Sequence, residues 1–257
     1  MREEDALRFL RICSEEAART GPSAGGVGTL NEKRMHRIFK KYVCPDAERF
    51  EEVPMGRGFT ADIFDGERVY EIQTGSLYPL KARLGYYTRE LGLPVTVVCP
   101  VALCRRIIRI DPVSGVSSPP RMSPKKESLT SLLPKAVYIA EYLKEGLVEL
   151  RTLCVEEEEY RIIEASPKNP KRRMSSRYEI LPSKLAEDRT YRSPEELRAV
   201  MPEGLPEEFT APVFASAGKF RGRDTYRALR AAELLGFIEK QKDRKSGRAF
   251  LYRTILS

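Results

Sequence analysis

The stretch GFTADIFDGERVYEIQTG, residues 58–75, contains the pattern that decides the fold. Asp65-Gly66 is a strong tight-turn signal between two short segments rich in β-branched and aromatic residues, which predicts a β-hairpin. A turn centred on this dipeptide puts Asp62 opposite Val69 and diagonal to Glu71. The prediction therefore brings two carboxylates close together.

Side chains alternate along a strand, so Asp62, Glu71 and Gln73 are predicted to project from one face of the hairpin. Two neighbouring carboxylates repel each other unless a cation or a shared proton offsets the charge. Mg²⁺ binds to a few carboxylate oxygens together with water and phosphate, and such a site would explain the acidic pair. The alternative is an ordinary solvent-facing sheet surface with both acids in water.

The neighbouring segments predict a mixed α/β fold around this hairpin. Helical spacing of apolar residues predicts helices over 30–43 and from about 77 to 91. The segment RFEEVPM predicts a strand, PVTVVCPVAL a strand buried on both faces, and RRIIRID a further strand. A helix over 129–143 and a strand over 147–163 follow them.

The pattern of Glu32, Asp62 and Glu71-Ile72-Gln73, with a helix behind it, resembles the PD-(D/E)XK (restriction endonuclease-like) nuclease superfamily, in its ExQ variant. The resemblance covers about residues 30–111. It implies an αβββαβ core with a mixed sheet. It also implies a metal-dependent nuclease that cleaves DNA endonucleolytically.

The resemblance also implies roles for individual residues. Asp62 and Glu71 would bind Mg²⁺ or Mn²⁺, and Glu32 would bind a second ion or orient the first. Gln73 stands where the family usually has lysine, and a glutamine can orient a water or a phosphate oxygen but cannot take up a proton. Lys81 would replace the missing ammonium, or it is a solvated lysine on a helix surface.

Few other residues suggest chemistry. His36, the only histidine, lies one helical turn after Glu32, so a general base and a structural histidine are both open. The five cysteines form no CxxC pair, which disfavours zinc sites and disulfide frameworks.

The positive charge is concentrated in the C-terminal third of the chain. The net charge is +8, and residues 166–257 contain 20 Lys and Arg against 12 Asp and Glu. Helix signals near Ser193-Pro194, Thr210 and residues 222–237, followed by a hairpin-like segment over 238–255, predict a winged helix-turn-helix. A basic winged helix favours nucleic acid as a partner, although a protein contact or dimerisation surface is the alternative.

The cations of this region are predicted to contact phosphates without reading sequence. On or just before the third helix they are Arg221, Arg223, Arg227 and Arg230, and in the wing they are Lys240, Lys242, Arg244, Lys245 and Arg248.

These patterns predict three regions: a nuclease-like domain with an N-terminal helix over 1–165, a basic linker or extension over 166–192, and a winged helix over 193–257. The chain has no stretch of about 20 apolar residues and no signal-like segment, which predicts a cytoplasmic protein. Expected partners are double-stranded DNA and a second copy or partner proteins of a defence or repair system. A catalytically inactive DNA-binding adaptor and a protein-interaction module are the alternatives.

Overall fold

The structure is a computed structural model that describes residues 2–18, 29–46, 50–166, 169–247 and 249–255. Its helices are α1 Glu3–Ala18, α2 Thr29–Val43, α3 Leu80–Gly85, α4 Leu132–Ala136, α5 Ala140–Lys144, α6 Pro194–Leu197, α7 Ala211–Gly218 and α8 Arg223–Leu234. Its strands are β1 Glu51–Gly56, β2 Phe59–Phe64, β3 Val69–Ile72, β4 Val95–Ile110, β5 Arg121–Met122, β6 Val148–Ser166, β7 Asn169–Tyr191, β8 Glu208–Thr210, β9 Ile238–Ser246 and β10 Ala249–Thr254. None of the described helices is both long enough and apolar enough to cross a membrane.

The larger sheet is mixed, as the sequence predicts. Its strands lie in the order β1-β2-β3-β4-β6-β7, and β5 pairs with β4. Strand β3 pairs antiparallel with β2 and parallel with β4, so the connection through α3 is a crossover. The first half of β4 is buried and rich in valine, which is typical of a strand covered on both faces.

Several predicted elements differ from those observed. The two strands predicted over 94–111 form one continuous strand, β4. The helix predicted over 77–91 is the short α3 followed by a π-helical turn over Tyr86–Glu90. The helix predicted over 129–143 is a 3₁₀ turn, α4 and α5, because the Tyr138 and Ile139 amides bond three residues back. Residues 169–191, within the predicted linker or extension, form strand β7.

The chain divides into two compact units, each built from three segments. One contains residues 1–51, 102–127 and 153–188, and the other contains residues 52–101, 128–152 and 189–257. In the first unit, α1 packs on α2 through the rings of Phe9, Phe39 and Tyr42. Glu16 is buried between these helices and forms an ion pair with Lys41 at 2.8 Å.

The second unit contains the β2–β3 hairpin, α3 and the C-terminal elements from α6 to β10. The C-terminal elements include a three-stranded sheet in the order β8-β10-β9. In the chain, α7 and α8 lie between β8 and β9. Ser193 caps α6 by accepting a hydrogen bond from the Glu196 amide, as predicted, whereas the Thr210 side chain makes no cap bond to α7. Helix α8 packs on α4 through a face that includes Ala228, Ala231 and Ala232, whose small side chains allow a close approach.

Candidate functional site

The hairpin turn differs from the predicted one by two residues in register. Asp65 Oδ1 accepts hydrogen bonds from the amides of Glu67 and Arg68, so Asp65 is the first residue of the turn. Gly66 is then the first central residue, and its φ of 99° is one that glycine adopts at little cost. Phe64, and not Asp62, lies opposite Val69.

The observed register brings the two predicted carboxylates close together. The paired residues of the hairpin end at Ile63 and Tyr70, directly before Asp62 and Glu71, and the Asp62 charge acts on Glu71. A shift of two residues leaves every side chain on its predicted face, so the expected proximity of the two acids is confirmed although the register was wrong. Asp62 Oδ2 also accepts a hydrogen bond from the Ile72 backbone amide at 2.8 Å, which holds this carboxylate beside the last residue of β3.

Glu71 is fully buried, and its partners satisfy only one of its oxygens. Arg83 Nη1 donates to Glu71 Oε2 at 3.0 Å, and the Arg83 side chain is 32% exposed. Glu71 Oε1 and the Tyr87 hydroxyl are both buried without a hydrogen-bond partner. The Tyr87 hydroxyl lies close enough to the Glu71 carboxyl to lower its pKa as a hydrogen-bonding group, but the angles of this contact fall outside those of a regular hydrogen bond.

The environment of Glu71 disfavours its charged form. Burial raises the pKa of Glu71 to about 8, and the neighbouring Asp62 carboxylate adds to the effect while Arg83 opposes it. The pKa of Tyr87 is also raised, chiefly by burial and then by Glu71. The site therefore has a deficit of positive charge that a proton or a cation can fill.

Local structure explains why Arg83 and Tyr87 reach the sheet. Leu80, Leu84 and Tyr87 are buried, so this face of α3 and of the π-helical turn lies against the strands, and Arg83 is on its edge. The Thr88 hydroxyl of the π-helical turn donates to the Leu84 carbonyl of α3 at 2.7 Å, which links the turn to the helix before it. Arg83 is three residues after Leu80 and four before Tyr87, a spacing that puts it beside the buried face but does not by itself distinguish it from Lys81.

The other predicted site residues are placed differently. Gln73 directly follows β3 and is half-buried, and its backbone N–H donates to the Val98 carbonyl at 2.9 Å. Lys81 is exposed, so the structure brings Arg83 to Glu71 and not Lys81. Glu32 lies in α2, and its side chain is outside the described part of the chain. His36 is half-buried in the same helix.

Two carboxylates can be sufficient protein ligands for a magnesium ion. Among the residues that the structure describes, no group of three or more His, Cys, Asp or Glu side chains could hold a metal ion. Mg²⁺ commonly takes one or two carboxylates and completes its octahedron with water and substrate phosphate. The unpartnered Glu71 Oε1 beside Asp62 is the feature that fits such an ion.

A second cluster of predicted residues lies on the outer face of α8. Arg223, Arg227 and Arg230 are exposed at helical spacing, and Arg221 is exposed just before the helix. Arg227 pairs with Asp224 at 3.1 Å, and this pair is open to solvent. Arg221 and Arg223 form no ion pair with any residue of the described chain, so they present free charge.

The wing residues are partly paired. Lys240 Nζ lies 4.0 Å from the centroid of the Phe250 ring, a cation–π contact. Arg244 forms an ion pair with Glu208, which also contacts Arg253 at 3.4 Å. The side chains of Lys242 and Lys245, and all of Arg248, lie outside the described residues.

A comparison with family models places part of this architecture in a known group. Residues 33–192 match a family described as a domain of unknown function, DUF8091. The chain belongs to the DUF8091 family. Its DUF8091 segment begins inside α2, contains the Asp62–Glu71 site and ends directly before Ser193, so α1 and the elements from α6 to β10 lie outside it. No curated protein and no solved structure matches the chain.

Proposed function

We propose that the protein is a divalent-metal-dependent nuclease of the PD-(D/E)XK type that hydrolyses phosphodiester bonds in nucleic acid, with DNA as the expected substrate. The observation that carries the proposal is the buried oxygen Glu71 Oε1, which lies close to Asp62 and has no hydrogen-bond partner. The element order α2-β1-β2-β3-α3-β4 and the parallel pairing of β3 with β4 support it, because both agree with an αβββαβ core.

The chain's own groups have distinct roles in this proposal. Asp62 and Glu71 would hold Mg²⁺ or Mn²⁺, and the ion would stabilise the charge that develops on the phosphate. Gln73, at the open end of β3, would orient a water or a phosphate oxygen through its amide. Arg83 would provide the positive charge for which the sequence suggested Lys81, since its guanidinium is already at Glu71 and remains partly exposed.

Nucleic acid would reach the protein through the C-terminal elements. The order α6, β8, α7, α8 and the hairpin β9–β10 supports a winged helix, with α8 as its third helix. The exposed arginines of α8 and the cations of β9 suit ionic contacts with phosphates, which weaken as salt is added. Such contacts would retain the substrate without demanding a sequence.

A cleavage assay on the full chain tests the nuclease. With Mg²⁺ or Mn²⁺ and a DNA substrate, we expect cleavage by the wild type and at least a 100-fold loss in Asp62→Asn and in Glu71→Gln, a loss of the size found when one electrostatic catalytic group is removed. Glu67→Gln removes an exposed carboxylate from the same hairpin and should cleave like the wild type. Undiminished cleavage by Asp62→Asn and Glu71→Gln would overturn the assignment of the site.

A second candidate function has its own supporting observation. The full burial of Glu71 and its ion pair with Arg83 also suit a nuclease fold that binds nucleic acid without cleaving it, as does glutamine at position 73. In that case the wild type binds DNA in a salt-dependent manner, and neither Mg²⁺ nor Mn²⁺ produces cleavage.

A further inference from the structure

A large aromatic side chain stands among the exposed arginines of α8. Tyr226 is 67% exposed and lies between Arg223 and Arg230 on the face that turns away from α4. The opposite face of α8 already supplies its packing through buried alanines. The Tyr226 ring is therefore not needed for the packing of α8.

The aromatic surface continues from α8 onto the wing. Tyr252 in β10 pairs with Lys240 in β9, so both side chains lie on one face of the hairpin. The Lys240 ammonium lies over the ring of Phe250, 4.0 Å from its centroid, so Phe250 is next to this face, and its side chain is 38% exposed. Burial raises the pKa of Tyr252, and Glu233 and Tyr226 of α8 add to the effect, so both lie within electrostatic range of Tyr252.

We call Tyr226, Tyr252, Lys240 and Phe250 the aromatic row. Tyr226 and Phe250 present exposed rings, whereas Tyr252 is buried and stacks on Phe209 of β8. Glu233, half-exposed beside the row, is 3.9 Å from Arg230. Exposed rings set among cations are the arrangement that proteins use to bind single strands, because each base has a π-face that can stack on a ring.

The two kinds of side chain recognise different parts of a nucleic acid. Arginines contact phosphates, which a duplex and a single strand present equally. Base faces are covered by stacking in a duplex and are open in a single strand, in an overhang or at a frayed end. The aromatic row therefore adds a preference that the arginines alone would not have.

We infer that the α8–wing surface binds nucleic acid with unpaired bases, which stack on Tyr226 and Phe250 while the arginines of α8 hold the phosphates. This inference rests on the nucleic-acid binding in the proposed function and goes beyond it by naming the form of the substrate. It applies equally to a cleaving and to a non-cleaving protein.

Binding in EDTA tests the inference without cleavage. We would measure the affinity of the full chain for a single-stranded oligonucleotide and for the duplex of the same sequence by fluorescence anisotropy. Tyr226→Ala should weaken single-strand binding about tenfold and duplex binding less than about twofold, given the usual energy of one ring–base stack. Tyr226→Phe keeps the ring and should bind like the wild type.

Two further variants complete the test. Phe250→Ala should follow Tyr226→Ala, whereas Arg227→Ala should weaken both forms of nucleic acid by a similar factor and reduce the salt dependence. Equal losses for single strand and duplex in Tyr226→Ala, or no loss in either, would overturn the inference while leaving nucleic-acid binding intact. If the wild type binds neither form, both the inference and the binding part of the proposed function are wrong.

Discussion

Two groups of acidic residues in the described strands differ in how far arginines balance their charge. In the first unit, Glu157 and Glu159 of β6 are buried, and Arg105 contacts them at 2.6 Å and 3.3 Å. Arg161 and Arg177 add contacts to Glu159 at 2.7 Å and 3.4 Å. In the second unit, Arg83 contacts Glu71 Oε2 at 3.0 Å, and Glu71 Oε1, close to Asp62, has no hydrogen-bond partner.

The difference separates a structural network from a candidate site. Three arginines lower the pKa of Glu159 although burial alone would raise it, so this glutamate is ionised and satisfied. Burial raises the pKa of Glu157 despite Arg105, just as it raises the pKa of Glu71 despite Arg83. The feature that distinguishes the Glu71 site is its buried oxygen Oε1, which has no hydrogen-bond partner and can still accept a cation. An acidic cluster in a sheet is thus informative only when its partners have been identified.

The balanced group should respond most strongly to the loss of its arginine. Arg105→Met leaves Glu157 and Glu159 without their shared partner, and we expect the free energy of unfolding to fall by about 3–5 kcal/mol, as for other broken buried ion pairs. Urea denaturation monitored by circular dichroism measures the change.

A matched control shows whether burial is the cause. Arg89→Met breaks an exposed pair with Glu145 and should cost less than about 1 kcal/mol. Equal effects of the two variants would mean that the Glu157–Glu159 group is not the structural network described above.

Local signals in the sequence predicted most of the helices and the hairpin. The apolar spacing of α2, the turn residues before β3 and the valine-rich start of β4 each depend on neighbouring residues only. The predicted turn had the wrong register because Asp65 closes it with its own side chain, leaving Gly66 and Glu67 as its central residues. The faces predicted for the side chains of β2 and β3 were still correct because the register was wrong by an even number of residues.

Long-range pairing explains what the sequence did not predict. Strand β7 contains prolines and many charges, which suggested a linker, but residues distant in sequence satisfy those charges. Glu179 of β7, for example, pairs with Arg34 of α2 at 2.7 Å. The contact of Arg83 with Glu71 depends on how α3 packs on the sheet, and sequence spacing alone did not favour Arg83 over Lys81.

The unbalanced group should make stability depend on pH. Folded Glu71 keeps its proton up to a pKa of about 8, whereas the unfolded chain releases it near 4.5, so this stabilisation is full below 4.5 and is lost as pH rises through 8. Without divalent ions, we expect the unfolding free energy of the wild type to fall by about 2–4 kcal/mol relative to Glu71→Gln between pH 5 and pH 9. Urea titrations at several pH values measure this difference, and parallel profiles for the two proteins would show that Glu71 ionises normally.

Calorimetric titration with Mn²⁺ at pH 8.5 tests most directly whether the unbalanced carboxylates accept a divalent cation. We predict that the wild type binds Mn²⁺, that Glu71→Gln and Asp62→Asn do not, and that Glu157→Gln, which alters the balanced group, binds like the wild type. Absence of Mn²⁺ binding by the wild type, or unchanged binding by both Glu71→Gln and Asp62→Asn, would contradict the account.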